Sequence, residues 1–332
     1  MRPVRRRPAS WRRPVVALIA GAVLPLSACG VAAACKPTNP LFAPVHNGCL
    51  RFGVSTPGGP EAEAEFHQVA AVAGRPPSIV LSYADFTTAP PLAGLEAVKR
   101  LGADPMITWE PWQWLGDGKY DTQAFTMQSI AGGAHDDYLY WWAESLAKFG
   151  RTIYLRFAHE ANGTWYPWSA TGGTEPSTYV RAWRHVHRIF AEKGAGNVKW
   201  VWAPNVSFPG STSIVGTYPG ARYVDVVGLD GYNWGTSRPE THWIAPKDLF
   251  GPTLDEVRAI APGKPIVVTE VGSAEQGGDK AKWVRQLIDF LHRDRTVAGF
   301  VWFDHDKETD WRLASTPESA AAFAEELGRR YR

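Results

Sequence analysis

Residues 156 to 168 read RFAHEANGTWYPW. A carboxylic acid, Glu160, follows His159 at the end of an apolar β-type segment. Ala161, Asn162 and Gly163 then make a turn, and Trp165 and Trp168 add flat aromatic surface. A carboxyl group can give a proton to a leaving oxygen, and indole rings stack on the apolar faces of pyranose rings. The combination suits cleavage of a sugar chain. That chemistry usually needs a second carboxyl group across the bond, one resting protonated and the other ionised.

Eight short β-type runs could hold such a site: 51–55, 78–83, 105–109, 152–158, 198–203, 224–229, 265–269 and 299–303. Amphipathic stretches at 136–149, 176–193, 254–260 and 280–293 lie between them. Strand and helix in continuous alternation argue for parallel βαβ units, and eight repeats predict a single closed (β/α)8 barrel over residues 51–332. The open doubly wound sheet is the competing fold, but no Gly-rich dinucleotide fingerprint follows the first strand. A barrel collects its active residues at the C-terminal ends of its strands. Those positions hold Tyr83, Glu110 with Trp112, Glu160, Asn205, Asp230 with Tyr232, Glu270, and Trp302 with Asp304.

Among these acids Glu160 and Glu270 make the best pair, after the fourth and seventh strands. Across a barrel mouth they could lie about 5–5.5 Å apart, the spacing for retention through a covalent intermediate. Glu160, among aromatics, suits the acid/base. Glu270 suits the nucleophile if cations or donors hold it ionised. Side-chain alternation puts Arg156 and Glu160 on one face of the strand. Arg156 then either reaches Glu270 or forms a buried ion pair with another acid. Tyr232 could donate to Glu270 or pack against substrate, and His159 could hold Glu160 or a sugar hydroxyl. Trp112, Trp114, Trp202 and Trp234 are either sugar platforms or parts of the barrel wall.

Residues 1–28 read as an export leader, with Arg2, Arg5, Arg6, Arg7, Arg12 and Arg13 before a short apolar run. Leu26-Ser27-Ala28-Cys29 resembles a lipobox that would lipidate Cys29, the only membrane attachment expected. Ala32-Ala33-Ala34 offers a soluble-export site instead. Six of the 35 basic residues fall in the leader, so the remainder carries 29 against 33 acidic ones, a net charge near −4. That balance argues against a nucleic-acid partner. Residues 29–50 read as a tether. In an oxidising compartment Cys35 and Cys49 can pair as a disulfide; otherwise they remain free thiols. A monomer is expected.

Other chemistries lack their parts. The sequence HEANG has Gly163 where a zincin needs its second histidine, and there is no GxSxG elbow. His135-Asp136-Asp137 suits a helix start, and Asp304-His305-Asp306 a cleft loop, better than a metal site. No metal or organic cofactor is expected. The reading from a different class is a glycan-binding barrel without catalysis, which the two carboxyl groups argue against.

Taken together, RFAHE with NGTWYPW, VWAPN at 201–205, VGLDGYNW at 227–234, TE at 269–270 and VWFDHDKETDW at 301–311 resemble glycoside hydrolase family 26. The resemblance runs from about residue 50 to the end. It implies a (β/α)8 retaining glycanase with Glu160 as acid/base and Glu270 as nucleophile. It further implies that Trp165 and Tyr232 line the cleft and that Trp302 is a sugar platform. The implied substrate is a β-linked polysaccharide, β-1,4-mannan foremost, with mixed-linkage β-glucan or β-1,3-xylan as alternatives; a cell-surface anchor would also suit trimming of the producer's own exopolysaccharide. Some mannanases of the family carry histidine after the third strand. Here the chain reads Trp109-Glu110-Pro111-Trp112, a departure that bears on mannan specificity.

Overall fold

The computed structural model describes residues 50 to 330; the leader and the three cysteines lie outside the described residues. In chain order the elements are β1 (Arg51–Ser55), α1 (Glu63–Ala73), β2 (Ile79–Asp85), α2 (Leu92–Arg100) and β3 (Asp104–Glu110). A hairpin of β4 (Gln113–Gly116) and β5 (Lys119–Asp121) follows, then α3 (Met127–Ala131), α4 (Asp136–Phe149), β6 (Ile153–Phe157) and α5 (Pro176–Glu192). The rest comprises β7 (Val198–Trp202), β8 (Val226–Asn233), α6 (Pro246–Ile260), β9 (Ile266–Ser273), α7 (Lys280–Arg293), β10 (Val297–Phe303) and α8 (Pro317–Arg330). Eight strands close a parallel barrel in the order β1-β10-β9-β8-β7-β6-β3-β2, the expected (β/α)8 fold.

The alternation of each strand sorts its side chains between two cores. Ile79, Leu81, Met106, Tyr154, Val201, Val226, Val267 and Val301 fill the barrel interior. Their strand neighbours, such as Leu155, Phe157, Trp202 and Trp302, face the helices. Helix α5 answers them with Tyr179, Ala182, Trp183, Val186, Ile189 and Phe190, the stripe of a 3.6-residue period. Burying a large apolar side chain of this kind contributes about 1.5–3 kcal/mol.

Several strands run further than their hydrophobic pattern. β2 extends to Asp85, β3 to Glu110, β8 to Asn233 and β9 to Ser273. Polar side chains at a barrel mouth end the apolar signal but not the backbone ladder, for Asp85 pairs with Glu110 and Asp230 with Glu270. Glu110, Asp230 and Glu270 therefore sit within strands, not beyond them. The hairpin was not expected, although Gly116-Asp117-Gly118 is a turn sequence; all three residues have positive φ. Trp112 stacks on Tyr120 of this hairpin, ring centroids 3.7 Å apart.

Candidate active site

Arg156 forms the floor of the mouth. On β6 it points inward with Tyr154, and it is fully buried. Its Nη1 donates to Asp230 at 2.5 Å and its Nη2 donates to Glu270. Nε and Nη2 also donate to the hydroxyl of Thr108 at 2.9 and 2.7 Å. The two alternatives for Arg156 are thus both realised, because one guanidinium fork serves both acids. Tyr232 donates its hydroxyl to the other oxygen of Glu270 at 2.6 Å. Thr269 donates to Asp230 at 2.6 Å. Two opposite-sided contacts, from a cation and a phenol, hold the carboxylate of Glu270 in one orientation.

A bulge aims Glu270. Val268 pairs with Leu229 and Glu270 with Asp230, so β9 spends two residues where β8 spends one. Against β10 it spends three, from Val268 to Val271, where Phe300 to Trp302 is two. The extra residue lets Thr269 and Glu270 both bond to groups inside the mouth, while Val268 and Val271 stay in the outer core.

Glu160 is held by a strained turn. Strand β6 ends at Phe157, and Ala158 and Glu160 both take left-handed backbone, φ 45° and 52°. That conformation costs roughly 1–2 kcal/mol per non-glycine residue. The contacts around it are correspondingly dense. Glu160 N donates to Ala203 O at 2.7 Å, Tyr179 donates to Ala158 O at 3.0 Å, and the Trp168 indole donates to His159 O at 2.6 Å. Trp165 donates its indole N–H to the Glu160 carboxyl at 2.7 Å. Burial first, then the charges of Asp230 and Glu270, push the Glu160 carboxyl well above the usual range; Arg156 and the Trp165 bond pull the other way. A carboxyl shifted in that direction favours the protonated form that an acid donor uses. Glu110, at the end of β3, accepts from the Trp112 indole at 3.3 Å, and burial pushes its carboxyl up to about 8.

Several expected site residues lie elsewhere. His159 is buried, its Nε2 against the Tyr166 hydroxyl at 2.9 Å, so it holds neither Glu160 nor a sugar. Burial, then Arg156, lowers its pKa well below the usual value, keeping the ring neutral. Trp168 is enclosed too, stacked on Tyr166 at 4.3 Å, and braces the turn instead of facing sugar. Trp302 is no platform. It alternates with the inward Val301, so its ring lies outside the barrel against Phe323, with its N–H on Trp311 O at 2.7 Å. Trp202 likewise belongs to the wall. Trp112 has one face covered by Tyr120, and Trp234 one face under the Arg238 guanidinium at 3.5 Å. Asp230 is sealed beneath Arg156 and belongs to the scaffold, and the Asn205 side chain donates to Val206 O at 3.1 Å.

Open aromatic surface remains at Trp165, 48% exposed and stacked on Phe208 at 5.6 Å, at Tyr83 on β2, and at Trp114 and Tyr120 on the β4–β5 hairpin. Thr108, Asn162, Tyr166 and Phe208 were not singled out from the sequence. Asn162 could have been, since a buried amide that closes two bonds with the Asn205 backbone lies inside the turn that carries Glu160.

Known proteins resemble parts of this chain. The family model for glycosyl hydrolase family 26 matches residues 135–264, the segment that carries Arg156, Glu160 and Asp230. Endoglucanase H of Acetivibrio thermocellus is 39% identical over 250 residues, 74% of this chain and 26% of that protein. Mannan endo-1,4-beta-mannosidase A and B of Caldalkalibacillus mannanilyticus is 31% identical over 181 residues, 51% of this chain and 32% of that protein. The chain thus spans about a quarter to a third of the length of these curated relatives. Among solved structures, the catalytic domain of the Bacillus sp. JAMB-750 GH26 endo-beta-1,4-mannanase superposes with a TM-score of 0.65. It is 21% identical, covering 89% of this chain and 92% of that one, a likeness of fold. The match to glycosyl hydrolase family 26 thus rests on residues 135–264, set in a (β/α)8 barrel with acids at its strand ends.

Proposed function

We propose that the protein is a retaining endo-β-glycanase acting on a β-linked polysaccharide, with β-1,4-mannan as its first substrate. The observation that carries the reading is the asymmetry of the two acids. Glu270 is bonded by Arg156 and Tyr232, whereas the Glu160 carboxyl, among the described residues, pairs with no cation and accepts only the Trp165 indole N–H, with burial raising its pKa. Glu270 attacks the anomeric carbon while Glu160 gives its proton to the departing oxygen. A bond from carbon to Glu270 forms as the glycosidic bond breaks. Glu160, now a carboxylate, takes a proton from water, which attacks the same carbon and frees Glu270. Trp165 supports the sugar beside the acid that its own N–H orients.

Mannan is favoured by the several relatives named as mannan endo-1,4-beta-mannosidases. A second reading, a mixed-linkage or other β-glucan, is favoured by the relative named Endoglucanase H, which aligns with 74% of the chain. Export, by lipid anchor or free secretion, belongs to the same proposal. A product profile on mannan, lichenan and β-1,3-xylan, with the anomeric configuration of the first products, tests it. Retained β products from mannan are expected. Cleavage of lichenan alone selects the second reading, and no cleavage of any of the three defeats both. In the same assays Glu270→Ala should abolish turnover but still bind oligosaccharide. Glu160→Ala should lose poor leaving groups far more than activated aryl glycosides, with azide restoring the latter.

A further inference from the structure

Above the floor that holds Asp230, the carboxyl groups of Glu110, Glu160 and Glu270 face the mouth, and the two-acid mechanism uses only the last two. On β3 the side chains of Met106 and Thr108 point into the barrel, the first in the interior core and the second under Arg156. Glu110 is the next residue on that face. Its carboxyl is fixed from one side, since Oε2 accepts the Trp112 indole N–H at 3.3 Å. Trp112 is itself clamped between the Tyr120 face at 3.7 Å and the edges of Tyr166 and Trp168 at 5.2 and 5.1 Å. No other side-chain hydrogen bond and no ion pair reaches Glu110 among the described residues.

The charges around it leave it without a cation of its own. Glu270 on β9 is the anion that faces it. Arg156 on β6 is committed to Asp230 and Glu270, and Lys307, after β10, pairs with Glu308 at 3.1 Å. The phenols of Tyr120 and Tyr166 also lie within its field. A largely enclosed carboxyl beside an anion, with no paired cation, favours the neutral acid. The neutral acid has one O–H. Because Oε2 is the acceptor for the indole, that O–H belongs on Oε1.

We propose that Glu110 is a substrate-binding residue that works as a neutral acid, donating a hydrogen bond from Oε1 to the sugar seated over Glu270. The inference rests on the glycosidase reading above. A neutral donor suits this position, because a sugar hydroxyl or ring oxygen can accept from it while Glu270 stays the only anion facing the anomeric carbon. Burial, opposed by the Trp112 bond and reinforced by Glu270, sets the carboxyl at about 8, so the donor is present through neutral pH and lost above it.

The test compares wild type with Glu110→Gln and Glu110→Ala on an activated aryl oligoglycoside of the sugar that the wild type cleaves. Such a leaving group needs no proton from Glu160, so Glu160 drops out of the alkaline limb of the first step. In wild type kcat/KM should fall above about pH 8. Glu110→Gln, whose amide still donates but cannot ionise, should show no such fall. At neutral pH it should exceed Glu110→Ala by roughly tenfold, the worth of one hydrogen bond. A Gln variant as impaired as Ala, or one that keeps the alkaline fall, overturns the inference. Should Glu110→Ala fail to fold, the pH profile of Glu110→Gln decides alone. A wild type that cleaves none of the three polysaccharides defeats the glycosidase reading and this inference with it. An active wild type with the wrong variant pattern defeats this inference only.

Discussion

Replacing Arg156 with methionine removes a charge and leaves most of a side-chain volume behind. Arg156 is fully enclosed, and its fork is the only cation bonded to Asp230 and Glu270 among the described residues. Asp230 is itself fully buried and the Glu270 side chain is 8% exposed, so neither can recover its partner from bulk water. Breaking a buried pair from one side costs about 3–5 kcal/mol, because the surviving charge stays desolvated and alone. Two carboxylates are orphaned here, which places Arg156→Met at the upper end. At about 2–4 °C per kcal/mol for a domain of roughly this size, Tm should drop by about 10–15 °C. Turnover of an aryl glycoside should collapse with it, since Glu270 loses both its counter-charge and its orientation. The double variant Arg156→Met/Asp230→Asn removes one of the orphaned charges. It should regain about 1–3 kcal/mol relative to additivity, without regaining turnover. Chemical unfolding at neutral pH reads both numbers. A single variant within about 1 kcal/mol of wild type, or a double variant no better than additive, refutes the account of Arg156 as the shared cation of two buried acids.

Trp165→Phe keeps an aromatic face but deletes the 2.7 Å bond that stabilises ionised Glu160. Since that bond lowers the carboxyl's pKa and the acid works protonated, its loss in a Glu110→Gln background, where Glu110 no longer titrates, should carry the alkaline limb of kcat/KM on polysaccharide to higher pH. A limb that moves down contradicts the assignment. Trp302→Ala should cost about 3–5 kcal/mol in unfolding, as a buried Trp does, yet leave KM unchanged across oligosaccharide lengths. A length-dependent KM with native stability would restore the sugar-platform reading. Gly272→Ala sets a Cβ about 3.0 Å from ring carbons of Trp311 and Tyr232. It should cost about 1–3 kcal/mol and lower kcat by shifting the Tyr232 hydroxyl off Glu270. Tyr232→Phe should reproduce the kcat loss at a smaller stability cost, and equal stability losses in the two variants would argue against that route.

The barrel was legible because its strands are short runs buried on both faces, as parallel strands are, and four clear amphipathic stretches lie between them, so topology follows from counting. The strand-end acids were legible for a related reason: a carboxyl directly after an apolar run is costly unless it is solvated or paired. What the one-dimensional pattern hid was the direction of each aromatic. Trp302 and Trp165 look equivalent in sequence, yet one alternates out into the helix layer and the other stands 48% exposed at the mouth. His159 is misread for the same reason, since its ring turns into the protein against Tyr166 instead of toward the mouth.

Alternation also gives the right answer for Glu160 by a path the chain does not take. Arg156 and Glu160 do meet in one mouth, but the strand stops at Phe157. Two left-handed residues, not the pleat, return the acid to the lumen. On the opposite wall alternation alone fails, for Thr269 and Glu270 are neighbours and both turn inward. The bulge in β9 resolves it, and its extra residue is visible against both flanking strands. Each proposed catalytic acid therefore sits where regular secondary structure breaks. Regular β geometry fixes the depth of the floor formed by Thr108, Arg156 and Asp230. The two irregularities then set Glu160 and Glu270 against each other above it. A carboxyl pair placed only by two regular strands could be moved only by whole steps of the pleat. A strained turn and a bulge offer finer adjustment, and the density of bonds around 158–160 is what keeps that strained geometry in place.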